Sequence, residues 1–300
     1  MIPLAIVIPY YKINFFEVTL DSLANQTNQQ FKVYIGDDAS PDNPAILLEN
    51  YQNKIDFVYQ RFEQNLGGKS LVQQWNRCLD LCNGEEWIMI LGDDDVLEPH
   101  CIDAFYTHLE EIQSLNISVV RFATQVIDKD GVTISQVHLH PKTEKAVDFL
   151  IRKLKGGTRS SLSEYVFKKE LVYYIQFKDF PLAWYSDLLA VLEFSNWKQI
   201  FTINEAIVYF RLSGLNITSR KDDLTLKNVA TFNFYYYLLS NCDIHFSKEE
   251  IEKLLDNVER TFLDNKKNVR HWIQLFMLYF MFFQYKRFLK LGFKVKKSIR

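Results

Sequence analysis

The 300-residue chain is poor in the residues that mark several protein classes. It has four cysteines, Cys78, Cys82, Cys101 and Cys242, and no two form a C-x-x-C pair. No histidine stands at zinc-finger spacing, so the cysteines read as buried thiols in a reducing compartment. G-x-G-x-x-G and H-E-x-x-H are both absent, which argues against a dinucleotide dehydrogenase and a zincin. Charge of one sign is scarce too: 35 Lys and Arg against 37 Asp and Glu leave a net charge of −2. A nucleic-acid binder relying on bulk positive charge is excluded on that balance. The first residues, Met1-Ile2-Pro3-Leu4, lack a basic segment followed by an apolar one, and no secretory signal is expected. What is present in quantity is apolar and aromatic material. Hydrophobic residues make up 48 %, with 24 Phe and 16 Tyr, too much for a disordered chain.

Strand-like and helix-like segments alternate four times in the first 115 or so residues. Leu4–Ile8, Phe31–Ile35, Ile55–Tyr59 and Trp87–Leu91 read as strands. Phe15–Gln26, residues 43–52 and Lys69–Leu81 read as helices, and Pro99 fits the first turn of another. This alternation predicts an α/β fold with a mainly parallel sheet flanked by helices. Ligands of such sheets bind beyond the carboxyl ends of the strands. Further on, Val119–Phe122 and Val126–Ser135 suggest a hairpin turning at Asp130-Gly131. Helices are expected over 143–155, stopping at Gly156-Gly157, and over Trp184–Phe194, with a strand at Ala206–Arg211. From Asp222 the pattern is helical almost to the end, with breaks near 241–247 and 264–268.

The chemistry-bearing clusters fall after the predicted strands. Asp93-Asp94-Asp95 places three carboxylates in a row. A divalent cation such as Mn²⁺ or Mg²⁺ would offset their repulsion, and an acidic turn capping the next helix is the alternative. Asp37-Asp38 could accept from a base N–H or a ribose hydroxyl, or form an Asx turn before Pro41. Tyr10 and Tyr11 follow the first strand, where a ring could stack on a base or pack at the sheet edge. Gly67-Gly68-Lys69-Ser70 suggests a phosphate loop, but Glu63 stands where a P-loop needs glycine.

Taken in order, these pieces resemble the GT-A-type glycosyltransferases of the large inverting family 2 group, which includes bacterial polysaccharide and lipopolysaccharide sugar transferases. Ile6-Val7-Ile8-Pro9-Tyr10-Tyr11 resembles the opening strand of that family. Asp37-Asp38-Ala39-Ser40-Pro41-Asp42 resembles its D-D-G-S-x-D segment. Asn65, Gly67, Asn76 and Gly84 match its N-x-G…N…G run, and Asp93-Asp94-Asp95 its D-x-D. Trp184-Tyr185-Ser186-Asp187 is similar to the segment holding the base. Glu205 to Arg211, with Asn216 and Thr218, is similar to its closing strand and loop.

The resemblance implies a GT-A catalytic domain over 1–220, with a nucleotide-binding half at 1–98 and an acceptor half at 99–220. Residues 221–300 would form a helical extension. It implies that Pro9 and Tyr11 line the base pocket and that Asp38 accepts the base N–H with Asp37 beside it. Asn65, Gly67 and Lys69 would complete the nucleotide set. Asp93 would face the ribose, Asp94 could share either task of the D-x-D, and Asp95 would hold Mn²⁺ or Mg²⁺. Asp187 would be the catalytic base, with Asp179 as its nearest rival. The donor is expected to be a nucleotide-diphospho-sugar, with uracil the implied base. The acceptor is expected to be a hydroxyl of a glycan or a lipid-linked glycan in cell-surface polysaccharide synthesis. A nucleotidyltransferase and a non-catalytic scaffold at the membrane are the competing readings. Four positions depart from the pattern: Lys12 for Asn, Ala39 for Gly, Ser186 for a second acid, and Ser213 for a His.

The apolar run Trp272–Phe283 would span about 18 Å as a helix, too short for a bilayer core. Residues 286–300 then hold seven Lys and Arg and no acid, leaving −9 on the remainder. A basic, aromatic tail on an acidic body suggests peripheral attachment to anionic lipid at the cytoplasmic face. A helix packed on the domain with a solvated basic end is the alternative.

Overall fold

A computed structural model describes residues 4–298, with side-chain environments through residue 292. The chain divides into two compact units. The first comprises Met1–Asp179 and Ser186–Arg220, and the second comprises Phe180–Tyr185 and Lys221–Arg300.

The first unit is built on nine strands in one sheet. Its elements run β1 (Leu4–Tyr10), α1 (Phe16–Ala24), β2 (Phe31–Asp37), α2 (Ala45–Glu49), β3 (Phe57–Arg61), α3 (Leu71–Leu79), β4 (Trp87–Ile90), β5 (Val96–Leu97) and α4 (Cys101–Ser114). Then follow β6 (Val119–Asp128), β7 (Thr143–Lys145), α5 (Ala146–Leu154), β8 (Tyr165–Lys168), α6 (Lys169–Ile175), α7 (Ser186–Phe194) and β9 (Gln199–Leu212). The sheet order is β3-β2-β1-β4-β8-β6-β9-β5, with β7 also on β9. β1 lies between β2 and β4, parallel to both, and its Leu-Ala-Ile-Val-Ile run is buried throughout. That is the pattern of a central strand covered on both faces.

The sheet is mainly parallel, as expected, with β6 also parallel to β9 along its longest ladder, and short antiparallel pairings complete it. β3, β2, β1 and β4 are parallel, but β8 runs antiparallel to β4 and to β6, and β9 is antiparallel to β5 and β7. β8 and β7 are only four and three residues long, too short to register as periodic patterns in sequence. The predicted hairpin is corrected. β6 runs unbroken through Ala123-Thr124-Gln125, where buried Thr124 interrupts the apolar pattern. After the turn at Gly131 (φ 83°) the returning arm forms only isolated bridges, Ile127 with Thr133 and Thr124 with His138. The helix expected from 143 starts at Ala146 because 143–145 pair with β9. The one expected at Trp184 starts at Ser186, since Tyr185 has φ 70°.

The second unit holds α8 (Leu224–Asn241), α9 (Lys248–Asp264), α10 (Val269–Met281) and α11 (Tyr285–Ser298). Its core includes Leu238, Leu239, Leu254, Leu255, Phe262, Leu275 and Leu278, all buried. The Phe232 ring stacks on His271 at 4.0 Å. No described helix is long and apolar enough to cross a membrane.

Candidate active site

The carboxyl ends of β1, β2 and β4 lie side by side, and the acidic clusters follow them. The backbone ties the three ends together. Asp38 N–H donates to the Tyr10 carbonyl (3.0 Å), and the Ser40 hydroxyl donates to the Tyr11 carbonyl (2.7 Å). One oxygen of Asp93, Oδ2, accepts from the N–H groups of Tyr11 and Lys12, both at 2.8 Å. Tyr10 packs on Phe16 with ring centroids 4.6 Å apart, so its ring is core rather than base platform. Tyr11 is exposed.

Asp37 and Asp38 shape the wall of this rim. Asp37 is fully buried. Its Oδ1 accepts from Ser40 N–H (2.8 Å), and its Oδ2 accepts from the Tyr59 hydroxyl (2.6 Å) and the Arg61 guanidinium (2.7 Å). Asp38 accepts from Leu66 N–H (2.6 Å), from Gly67 N–H (2.9 Å) and from the guanidinium of Arg77. Asp38 was expected to accept a base N–H. Both its oxygens accept from protein donors that hold the 65–68 turn, and Oδ2, with Gly67 N–H as its one described donor, keeps acceptor capacity. Glycine is required at 67, where a Cβ would sit 2.6 Å from Asp38 Oδ2. Asn65 closes the same turn by accepting from Gly68 N–H (2.6 Å). Lys69 is exposed. Asp38→Ala is expected to cost about 2–3 kcal/mol, because it strands Arg77 and two N–H groups. Chemical denaturation measures this.

Ala39 stands where the family has glycine, and its φ is 53°. The left-handed region costs a residue with a Cβ roughly 1–2 kcal/mol, partly offset by the greater unfolded-state entropy of glycine. Ala39→Gly is therefore expected to raise the melting temperature by roughly 1–4 °C in a thermal scan.

The three acids after β4 differ sharply in what they touch. Asp95 is buried, with Oδ1 accepting from Arg211 N–H (2.9 Å) and Oδ2 from the Ser163 hydroxyl. Asp93 is held by Tyr11 and Lys12 as above. The side chain of Asp94 has no such donor among the described hydrogen bonds, while its carbonyl accepts from Arg211 Nε (2.8 Å). Burial pushes all three carboxyls above the ordinary carboxylate range. For Asp94 the charges of Asp95 and Asp93 add to the effect of burial and push it up to about 8, against the pull of Lys12 and Arg211. Gly92 makes room for the cluster, since a Cβ there would lie 3.0 Å from Asp95 and 3.2 Å from Asp94.

A divalent cation fits this donor set. A crowded, under-donated carboxylate is the group whose charge a cation would offset. Among the described residues no three His, Cys, Asp or Glu side chains form a closed cage. A cation here would thus take its other ligands from phosphate and water, as Mg²⁺ commonly does. Asp95, the expected ligand, accepts one hydrogen bond on each oxygen, from Arg211 N–H and the Ser163 hydroxyl, and Asp94 is the neighbour whose side chain has no donor among the described hydrogen bonds.

Asp187 opens α7. Burial holds its carboxyl above the usual range, opposed by Leu188 N–H, Lys153, its own N–H and Arg159. The rival Asp179 is exposed and accepts from the Ser70 hydroxyl (2.7 Å) and Gln73 (3.4 Å), which fixes it as a cap partner for α3. Ser213, in the position of the family His, accepts from Leu215 N–H (3.2 Å).

Arg159 links the two acidic groups. Its charge acts on Asp95, on Glu164 and on Asp187. Its guanidinium lies 4.4 Å from the Phe210 ring centroid and 3.4 Å from Glu164. Similarly, the charges of Asp37 and Asp93 both reach Tyr10. The acids of these separate stretches are therefore linked electrostatically, through Arg159 on one side and Tyr10 on the other. Sequence reading missed Arg159, Ser163, Arg61 and Arg77. The Thr158-Arg159-Ser160-Ser161 polar cluster after Gly156-Gly157 was the available signal for the first two.

Comparison with known proteins agrees with the architecture. A model of the family described as Glycosyl transferase family 2 matches residues 5–169. The glycosyltransferase GlyG of Streptococcus pneumoniae is 25% identical over 109 residues, 36% of this chain and 35% of that protein. The MG060-homolog glycosyltransferase of Mycoplasma pneumoniae is 29% identical over 90 residues, 30% of each chain. The match thus spans about a third of the length of these curated relatives. Among solved structures, S. aureus TarS 1-349 in complex with UDP-GlcNAc superposes with a TM-score of 0.66 at 16% identity. That match covers 92% of this chain and 79% of TarS 1-349, and shows a shared fold. The chain belongs to glycosyl transferase family 2, with the GT-A fold.

Proposed function

We propose that the chain is an inverting, metal-dependent glycosyltransferase. It moves a sugar from a nucleotide-diphospho-sugar, with UDP as the carrier, to a hydroxyl of a glycan or lipid-linked acceptor in cell-surface polysaccharide synthesis. The observation that carries this reading is the acidic cluster after β4: Asp94 has no side-chain donor among the described hydrogen bonds, and Arg159 acts on Asp187 and on Asp95, the neighbour of Asp94. TarS, crystallised with UDP-GlcNAc and with UDP, supports the class of donor.

In this mechanism Pro9 and Tyr11 border the base pocket, while Asp37, Asp38, Asn65 and Gly67 hold its walls. Asp93 fixes the β1 end against the β4 end and faces the ribose. Asp94 would hold Mn²⁺ or Mg²⁺, which when bound neutralises charge on the departing diphosphate. Asp187 takes the proton of the acceptor hydroxyl as that oxygen attacks the anomeric carbon from the face opposite the leaving group. One displacement inverts the configuration. A carboxyl held above the ordinary range suits a base working near neutral pH. The acceptor is presented at the cytoplasmic face of an anionic membrane, where the protein sits peripherally.

The test is release of nucleoside diphosphate from a panel of UDP-, GDP- and dTDP-sugars, with Mn²⁺ and with chelator. Metal-dependent UDP release is expected. Release that is unaffected by chelator contradicts the metal assignment, and no release from any donor in the presence of membrane-extracted acceptor contradicts the transferase reading.

A further inference from the structure

We infer that the outward face of α10 is a docking surface that lies flat on anionic lipid; this deepens, and rests on, the membrane-presented acceptor proposed above. α10 turns His271, Leu275, Leu278 and Tyr279 inward, all buried. On the other side it presents Ile273 (57 % exposed), Phe276 (49 %), Met277 (56 %) and Phe280 (62 %). These positions are spaced i, i+3, i+4 and i+7, so they form one stripe. Phe283, 79 % exposed, extends it through Tyr285, whose ring centroid lies 6.4 Å from that of Phe283 and 6.1 Å from that of Phe280. Single exposed apolar residues need no explanation, but a contiguous aromatic stripe does.

Charge selects the occupant. Residues 265–300 contain ten Lys and Arg and no Asp or Glu. Lys286 and Lys290, both exposed, follow the stripe directly on α11. A second copy docking by the same face would bring two such cationic segments together, which disfavours a symmetric dimer. An anionic lipid surface satisfies both the apolar stripe and the charge. At 13 residues α10 is about 20 Å long, short of a bilayer core of about 30 Å, so it lies in the interface plane.

Arg287 is excluded from the lipid-facing set. It donates to Asp256 (2.7 Å), to Glu259 (3.0 Å) and to Glu252, and so pins α11 to α9. Lys294, Lys296 and Lys297 lie outside the described side chains, and Arg300 outside the described residues. Truncating the tail would break the Arg287 cluster as well as remove the stripe, so point variants of exposed residues are the cleaner probe.

The experiment is co-sedimentation of the full chain with vesicles of phosphatidylcholine, with and without about 30 mol % phosphatidylglycerol. The wild type is expected to bind the anionic vesicles at least about 25-fold more tightly than the neutral ones. Phe276→Glu with Phe280→Glu should weaken binding about 100-fold. Lys286→Gln with Lys290→Gln should weaken it about 25-fold, roughly fivefold per lysine. The Lys variant should melt with the wild type; the Phe variant, which also loses the edge contact of Phe276 on Phe288 (5.1 Å), should melt lower but with the same cooperative transition, and its binding is read well below that transition. The inference is overturned by absent wild-type binding, by equal binding of the Phe variant, or by a wild-type dimer that the Phe variant converts to monomer. Donor cleavage in solution is read in parallel. Its persistence without vesicle binding counts against the docking face alone, and its absence with vesicle binding counts against the transferase reading alone.

Discussion

Asp187→Asn is expected to lower turnover by about 10²–10⁴-fold, the range for a positioned general base, while leaving the protein at least as stable as the wild type. Both halves come from the environment of the same carboxyl. It opens α7, where Leu188 N–H, Lys153 and Arg159 favour the charged form, and burial outweighs them. Its value in the fold is thus above that of the unfolded chain. Between those two values the native protein binds more protons than the unfolded one, so stability falls as pH rises across that window. At neutral pH the ionised side chain costs the fold something, and asparagine removes that cost. Melting temperature should match the wild type in acid and equal or exceed it at pH 7. The pH–rate profile should carry an acid limb above the ordinary Asp range, and that limb should disappear in the variant. A variant with normal turnover, or one with the limb intact, would move the base elsewhere.

The second large effect separates two neighbouring acids. Asp94→Asn is expected to cut metal-dependent donor cleavage by about 10²–10³-fold, the size seen when one preorganised electrostatic stabiliser is removed. It should not destabilise the protein, because it relieves repulsion from Asp93 and Asp95 and breaks no described side-chain hydrogen bond. Asp95→Ala should do the reverse in stability. It strands the Arg211 N–H and the Ser163 hydroxyl, each at roughly 1–3 kcal/mol. Steady-state kinetics over a Mn²⁺ titration, paired with thermal scans, reads the two effects apart. Equal loss of metal response in both variants, with equal stability, would return the ligand to Asp95.

These two acids also show where sequence reading runs out. Three consecutive aspartates can be recognised as a site, but their register is set by partners far along the chain. Arg211 is 116 positions from Asp95, and Ser163 is 68 positions away. Neither contact leaves a mark at residues 93–95. The parallel half of the sheet was legible because β1, β2 and β4 are buried on both faces and read as continuous apolar runs. β8 was not, since four residues carry no usable period, and with it went the antiparallel pairings to β4 and β6. Asp38 illustrates a third case. Its identity as a pocket residue was visible, but its occupation by Arg77 depends on a helix turn 39 positions later. The aromatic tail was legible as composition. Its division into a buried and an exposed face emerged only from the packing of α10 in the helical unit.

The most direct measurement of the central claim is a crystal of the protein grown with UDP and Mn²⁺, with anomalous differences collected at the manganese edge. The account predicts a peak bridging the Asp94 carboxylate and the diphosphate, with Asp187 on the same rim. A peak bonded to Asp95 with Ser163 and Arg211 displaced, or a diphosphate bound away from Asp94, would contradict it.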